Sequence, residues 1–167
     1  MGDSTKWRVD VGTAADYEAF AKLFPELAVI EATPSFERFC ETIAAGSIFV
    51  REGDAVAGYA WARARGETLH VVHVIVSPTH RRHGVGKILM NALAERGRND
   101  GFEKWMLNVK PENEAARALY ESCGMRGTCE SVSMRFRWSD VAKLEAAADV
   151  TARELAPEED VRFENAM

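Results

Sequence analysis

Residues 75–90 read IVSPTHRRHGVGKILM. A β-branched run ends at Pro78, a loop carries His80, Arg81, Arg82 and His83, and apolar residues at helical spacing begin with Val85. Strand, loop and helix therefore follow one another within a few residues. The first turn of a helix leaves backbone N–H groups unpaired and carries about half a positive charge. Gly84 and Gly86 remove side-chain bulk at that point, and Arg81, Arg82, His83 and Lys87 surround it with cationic or hydrogen-bonding groups. The stretch predicts a turn that receives phosphate or diphosphate. A dinucleotide fingerprint would need a glycine where Leu89 stands. A P-loop would need Ser or Thr where Ile88 follows Gly86-Lys87. What remains is Arg-x-x-Gly-x-Gly, from Arg81 to Gly86.

Upstream, WRVDV alternates as a strand, and Thr13 is placed to cap a helix with Asp16 three positions on. Tyr17, Phe20, Ala21 and Phe24 recur at helical spacing until Pro25. Ser35 caps a second helix whose buried face is predicted to be Phe36, Phe39, Cys40 and Ile43. SIFVREGD and AVAGYAWARARG form a hairpin about Gly53-Asp54, and ETLHVVHVIVSP reads as a central strand ended by Pro78. On a regular strand His70 shares a face with residues 72, 74 and 76, and His73 faces the other way, packed or hydrogen-bonded. Downstream come a helix to about Gly101, a strand KWMLNVKP, and a helix presenting Ala116, Leu119, Tyr120 and Cys123 on one side. A last strand is expected over residues 128–138. The order β-α-α-β-β-β-α-β-α-β implies a mixed sheet with helices on both faces. Residues 1–138 make one domain. Residues 139–167 read as a C-terminal helical extension or the opening of a second, similar domain.

The 167 residues and mixed charges suit a globular chain with a real core, and the net charge of −5 speaks against nucleic acid or anionic membrane as partner. No apolar run reaches bilayer length, the N-terminus has no signal-peptide core, and Lys6 breaks a myristoylation pattern, so a cytoplasmic chain is expected. Cys40, Cys123 and Cys129 are expected as reduced, mostly buried thiols. No metal is expected: His70 and His73 fall on opposite faces, and no Cys or carboxylate lies at ligand spacing.

Residues 75–90 resemble the coenzyme A loop of the GNAT acyltransferase superfamily. LNVKPENEAARALYESCGM resembles the strand and helix that follow it there, with Asn113, Ala116, Leu119, Tyr120, Gly124 and Met125 in register. The resemblance covers roughly residues 7–138. It implies an α+β fold of α/β/α layers, with a mostly antiparallel sheet splayed between its fourth and fifth strands. It implies acetyl-CoA as acyl donor, its diphosphate on the N–H groups of Arg82, His83, Gly84, Val85, Gly86 and Lys87 in the Arg81 motif. The pantetheine arm would add to the strand at Val74, Ile75 and Val76. His70 falls where relatives carry a base, with a water chain as the alternative. Tyr120 matches a tyrosine that protonates the leaving thiolate. Asn113 matches an asparagine supporting the cofactor arm, and Asn108 lies near the cleft; either can equally cap a turn.

The acceptor would be a primary amine: a small molecule, a peptide N-terminus or a lysine. Glu26 and Glu31, in the loop PELAVIEATPS, suit an ammonium group, and Trp61 or Trp138 an apolar wall. Two other classes stand beside the enzyme: a coenzyme A-binding regulatory module without turnover, and a protein-interaction scaffold. Homodimerisation and acyl groups longer than acetyl stay open.

Overall fold

The alternation at Arg8–Val11 becomes strand β1, which lies antiparallel to β2, Ser47–Glu52. The computed structural model describes residues 6–132, 137–141, 143 and 145. The chain divides into two compact units, Met1–Gly127 and Thr128–Met167.

In the first unit, Asp16 starts the helical layer. Its carboxylate accepts the Thr13 N–H at 2.7 Å and pairs with Arg51 on β2, which makes a buried acid tolerable. Helix α1, Tyr17–Leu23, follows and passes into a 3₁₀ turn, Phe24–Leu27. Helix α2 begins at Phe36–Arg38, where Ser35 Oγ accepts the Arg38 N–H at 3.3 Å. It continues as a wider π-turn, Phe39–Ile43, and a 3₁₀ turn, Ala44–Gly46. Phe39 and Ile43 are buried as expected, whereas Phe36 is exposed and Cys40 only half-buried. The π-turn takes more residues per turn than an α-helix, so side chains at α-helical spacing do not stay on one face and the expected stripe is broken.

Strands β2 and β3, Ala55–Arg65, form the hairpin, with Glu52 opposite Ala55 and Gly53-Asp54 between them. β4, Thr68–Val76, lies antiparallel to β3 and runs through a turn into α3, Val85–Asn99. β5, Lys104–Met106, returns parallel to β4, and α4, Glu114–Ser122, follows. The sheet order is β1-β2-β3-β4-β5, antiparallel but for the last pair. α4 ends in a Schellman motif: Met125 N–H donates to Tyr120 O and Gly124 N–H to Glu121 O, with Gly124 at φ 84. That left-handed residue is why a glycine closes the Leu-Tyr-x-x-x-Gly run.

The sheet is a partition between two cores. On one face Ile48, Val50, Ala60 and Val71 pack against Leu89 and Leu93 of α3. On the other, Phe20, Phe39, Phe49, Tyr59, Trp61 and Ile75 pack under α1 and α2. Cys123 is half-buried and Cys129 exposed, so the thiols are less buried than expected.

In the second unit, residues 128–132 carry no strand, and Trp138 opens a short helix α5, Trp138–Val141. The strand expected over residues 128–138 is therefore absent at both described ends. Residues 133–136 lie outside the described residues, as does most of the expected C-terminal extension.

Candidate active site

The two ends of β4 differ. Thr68, Leu69 and His70 pair with Lys104, Trp105 and Met106 of β5, while among the described residues the rest of β4 pairs only with β3. The sheet is thus splayed beyond His70. The free edge has a definite pattern. Ser77 N–H donates to Ala57 O at 2.8 Å, a hydrogen-bonded position next to the pair Gly58–Val76. Alternation along an antiparallel ladder then turns the N–H and C=O groups of Val76 and Val74 away from β3, into the splay, and those of Ile75 toward β3. Arg81 Nε reaches the Val76 carbonyl from that side at 3.3 Å.

The turn before α3 sits at the end of this edge. Arg82 has φ 65 and Gly84 φ 81, so the chain folds back sharply before Val85. Holding a non-glycine residue there costs roughly 1–2 kcal/mol. Val85, 1% exposed, anchors the helix start in the core. A Cβ on Gly84 would meet nothing within 4 Å, so the turn is open to a ligand. Gly86 does something else: a Cβ there would lie 2.9 Å from Leu119, so its smallness lets α4 pack on α3. Arg82, His83 and Lys87 are exposed around the turn. Arg81 instead ion-pairs with Glu26 at 2.5 Å, linking the turn to the segment after α1.

His70 stands at the apex of the splay, opposite Arg63 on β3 and Met106 on β5. Burial, then the charges of Arg63 and Arg65, hold its pKa below the ordinary histidine value, so the ring is neutral at pH 7. His73 corrects the sequence reading. Ala62 faces Val71 and Trp61 faces His73, so Val72 is an extra residue in a β-bulge. The bulge reverses the alternation and puts His70 and His73 on the same face of the sheet, the aromatic one. Opposite faces therefore drop out as a reason against a metal. Among the described residues, no three His, Cys, Asp or Glu side chains gather as a metal site.

Tyr120 is half-buried on α4 and packs against the α3-side core. Burial raises its pKa, so the phenol keeps its proton at neutral pH. Asn113 Oδ1 accepts the Ala116 N–H at 3.1 Å and caps α4, and Asn108 is exposed beyond β5. On the aromatic face, Trp61 is 7% exposed and its ring lies 4.9 Å from that of His73. Glu31 is exposed in the loop between α1 and α2, which Lys110 reaches through Ala28 O at 3.3 Å. Trp138 lies in the second unit and is exposed. Sequence reading gives Tyr59 no role and His73 only a packed or hydrogen-bonded one; no glycine or proline marks the bulge that turns His73 toward this face. Two cavities, of about 230 and 300 Å³, flank Leu69 and Phe102 near the C-terminal end of α3 and involve none of these residues. The candidate site is an open cleft, shaped by an edge and a turn.

A mostly antiparallel sheet splayed between β4 and β5, with an open edge beside a helix N-terminus, is the fold that the acyltransferase resemblance implied. Residues 16–125 match the Acetyltransferase (GNAT) family. The chain belongs to that family. It is 31% identical over 67 residues to human N-acetyltransferase 8, covering 40% of this chain and 30% of that protein. It is 29% identical over 106 residues to the L-methionine sulfoximine/L-methionine sulfone acetyltransferase of Salmonella typhimurium, covering 59% of this chain and 62% of the relative. The matches thus span less than two thirds of either relative's length. A diaminobutyrate acetyltransferase from Paenibacillus lautus, solved with its substrate and coenzyme A, superposes with a TM-score of 0.61 at 20% identity, over 70% of this chain and 74% of that one. Among the described residues no helix is long and apolar enough to cross a membrane.

Proposed function

We propose that this chain transfers an acetyl group from acetyl-CoA to a primary amine by direct attack. The observation that carries the reading is the edge of β4 at Val74 and Val76, which has no strand partner among the described residues and is continuous with the glycine turn at Gly84. The diphosphate rests on the N–H groups of Arg82, His83, Gly84, Val85, Gly86 and Lys87. The pantetheine amides add to the edge as a further strand would. The thioester then lies at the apex of the splay, beside His70.

A lysine-like amine has a pKa of about 10.4 and is almost wholly protonated at pH 7. Neutral His70, directly or through water, takes that proton. The amine nitrogen then bonds to the thioester carbonyl carbon. As the C–S bond of the tetrahedral intermediate breaks, the thiolate takes a proton from Tyr120, and the second proton of the former amine, lost from nitrogen and passed through water, restores the phenol. The acceptor enters from the α1–α2 side, past Glu31, with Trp61 beneath it.

Calorimetry with acetyl-CoA tests the donor site. Gly84→Asp puts a strained residue and a negative charge in the turn and should weaken binding at least a hundredfold, about 3 kcal/mol. Unchanged affinity would remove the turn from the site. Tyr120→Phe should lower kcat about a hundredfold with acetyl-CoA affinity unchanged. A wild-type chain that binds acetyl-CoA yet releases no thiol across a panel of amines would instead be a binding module.

A further inference from the structure

We propose that Tyr59 and His73 form the acceptor-recognition pair of the cleft, in which Tyr59 fixes the imidazole so that its Nε2–H is offered to a carbonyl or carboxylate oxygen next to the reacting amine. This rests on the acetyltransferase reading above. The favoured acceptor is then an α-amino acid, an α-amino amide or a peptide N-terminus, rather than a simple alkylamine or polyamine.

The argument starts from Tyr59, which is fully buried on β3. Burial pushes its pKa far above neutral, so the hydroxyl always carries a proton that must go somewhere. Among the described residues the hydroxyl meets one partner, His73 Nδ1, at 3.4 Å. Were Nδ1 the donor, the buried phenol proton would have no acceptor. Tyr59 therefore donates, Nδ1 accepts, and the imidazole proton sits on Nε2. Aromatic neighbours hold the ring: Phe24 at 5.5 Å and Trp61 at 4.9 Å between centroids, both edge-on. Among the described residues, the buried side-chain polar atoms without a partner are Trp61 Nε1, His70 Nδ1 and Arg96 Nη1. Among the described residues His73 Nε2 has no hydrogen-bond partner, and the residue is only half-buried on the α1–α2 face, which leaves Nε2 available to a ligand.

Location and charge fit the role. His73 lies on the splayed stretch of β4, on the same face as His70 and close behind the apex. Burial pulls its pKa down to about 4, so the ring is neutral at pH 7 and does not repel an incoming ammonium. A neutral donor selects for an oxygen, and an acceptor without one leaves the N–H without its partner.

The test compares glycinamide with propylamine, an amine of similar size without the oxygen, in steady-state acetyl transfer from acetyl-CoA. Comparing each variant with wild type on each amine cancels the amines' own reactivity. His73→Leu should lower kcat/KM for glycinamide about tenfold, mainly through KM, and leave propylamine within about twofold. His73→Gln, which keeps an N–H donor, should restore most of the loss. Tyr59→Phe, which releases the tautomer, should fall between them and serves as the test should His73→Leu not fold. Equal losses on both amines, no loss at all, or no transfer to glycinamide by a wild-type chain that binds acetyl-CoA would overturn the proposal. Failure of the wild type to bind acetyl-CoA would overturn the acetyltransferase reading, and this one with it.

Discussion

The two faces of the sheet are built from different materials. Toward α3 the packing is aliphatic: Ile48, Val50, Val71, Leu89 and Leu93, with few polar atoms. Toward α1 and α2 it is aromatic: Phe20, Phe39, Phe49, Tyr59 and Trp61, with His73 in edge contact. Aliphatic side chains fill space and tolerate repacking, whereas rings hold fixed angles and carry polar edges. One face positions a helix whose N-terminus lies at the open edge of β4. The other holds groups suited to recognise what attacks. In the proposed function the first side works through backbone groups together with Tyr120, and the second through side chains.

The largest effect expected from this contrast is on the aliphatic face. Leu89 is fully buried beneath β3. Leu89→Ala removes its methyls from a packed core and should cost about 2–5 kcal/mol in urea unfolding. Below its melting temperature the folded variant should keep the wild-type KM for the amine. A change in amine KM larger than the stability loss accounts for would show that the two faces are not separable.

The aromatic face should instead show itself through pH. His73 has an ordinary pKa of about 6.5 when unfolded and about 4 when folded, lowered by burial. Above pH 6.5 the ring is neutral in both states and contributes nothing. As pH falls from 6.5 toward 4 the unfolded chain takes up a proton that the folded one does not, so stability drops, by about 3 kcal/mol at most. Urea midpoints at pH 7 and 4.5 for wild type and His73→Phe isolate this share from that of the carboxylates. The wild type should lose more than the variant. Equal losses would mean His73 protonates freely in the fold, and the aromatic face would lose its neutral donor.

How far these faces could be read in the sequence depended on where the deciding contacts lie. The Gly53-Asp54 hairpin, the Ser35 cap and the α3 stripe are local, so residue spacing reveals them. The bulge at Val72 is set by pairing with β3 and leaves no mark in a continuous apolar run, so His70 and His73 were assigned to opposite faces. β5 is shorter than KWMLNVKP suggests because its neighbour diverges after His70, a tertiary event. Gly86 reads as room for an anion, yet its Cβ position is limited by Leu119, more than thirty residues away. The candidate site was legible where it is a turn and obscure where it is a face.

The smallest effect tests that distinction at one residue. Asn113 caps α4 by accepting the Ala116 N–H, and it also aligns with the asparagine that the family places beside the cofactor arm. A cap alone is worth about 1 kcal/mol. Asn113→Ala should therefore lower stability by about that amount. If capping is its whole contribution, Asn113→Asp, which caps equally well, should restore both stability and acetyl-CoA affinity. If the amide also donates to the pantetheine arm, Asp restores the stability but leaves acetyl-CoA bound several-fold more weakly, because a carboxylate has no proton to give. Stability and affinity recovering together would leave the donor side wholly to the backbone; their separation would place one side chain among the donor contacts and narrow the contrast between the faces.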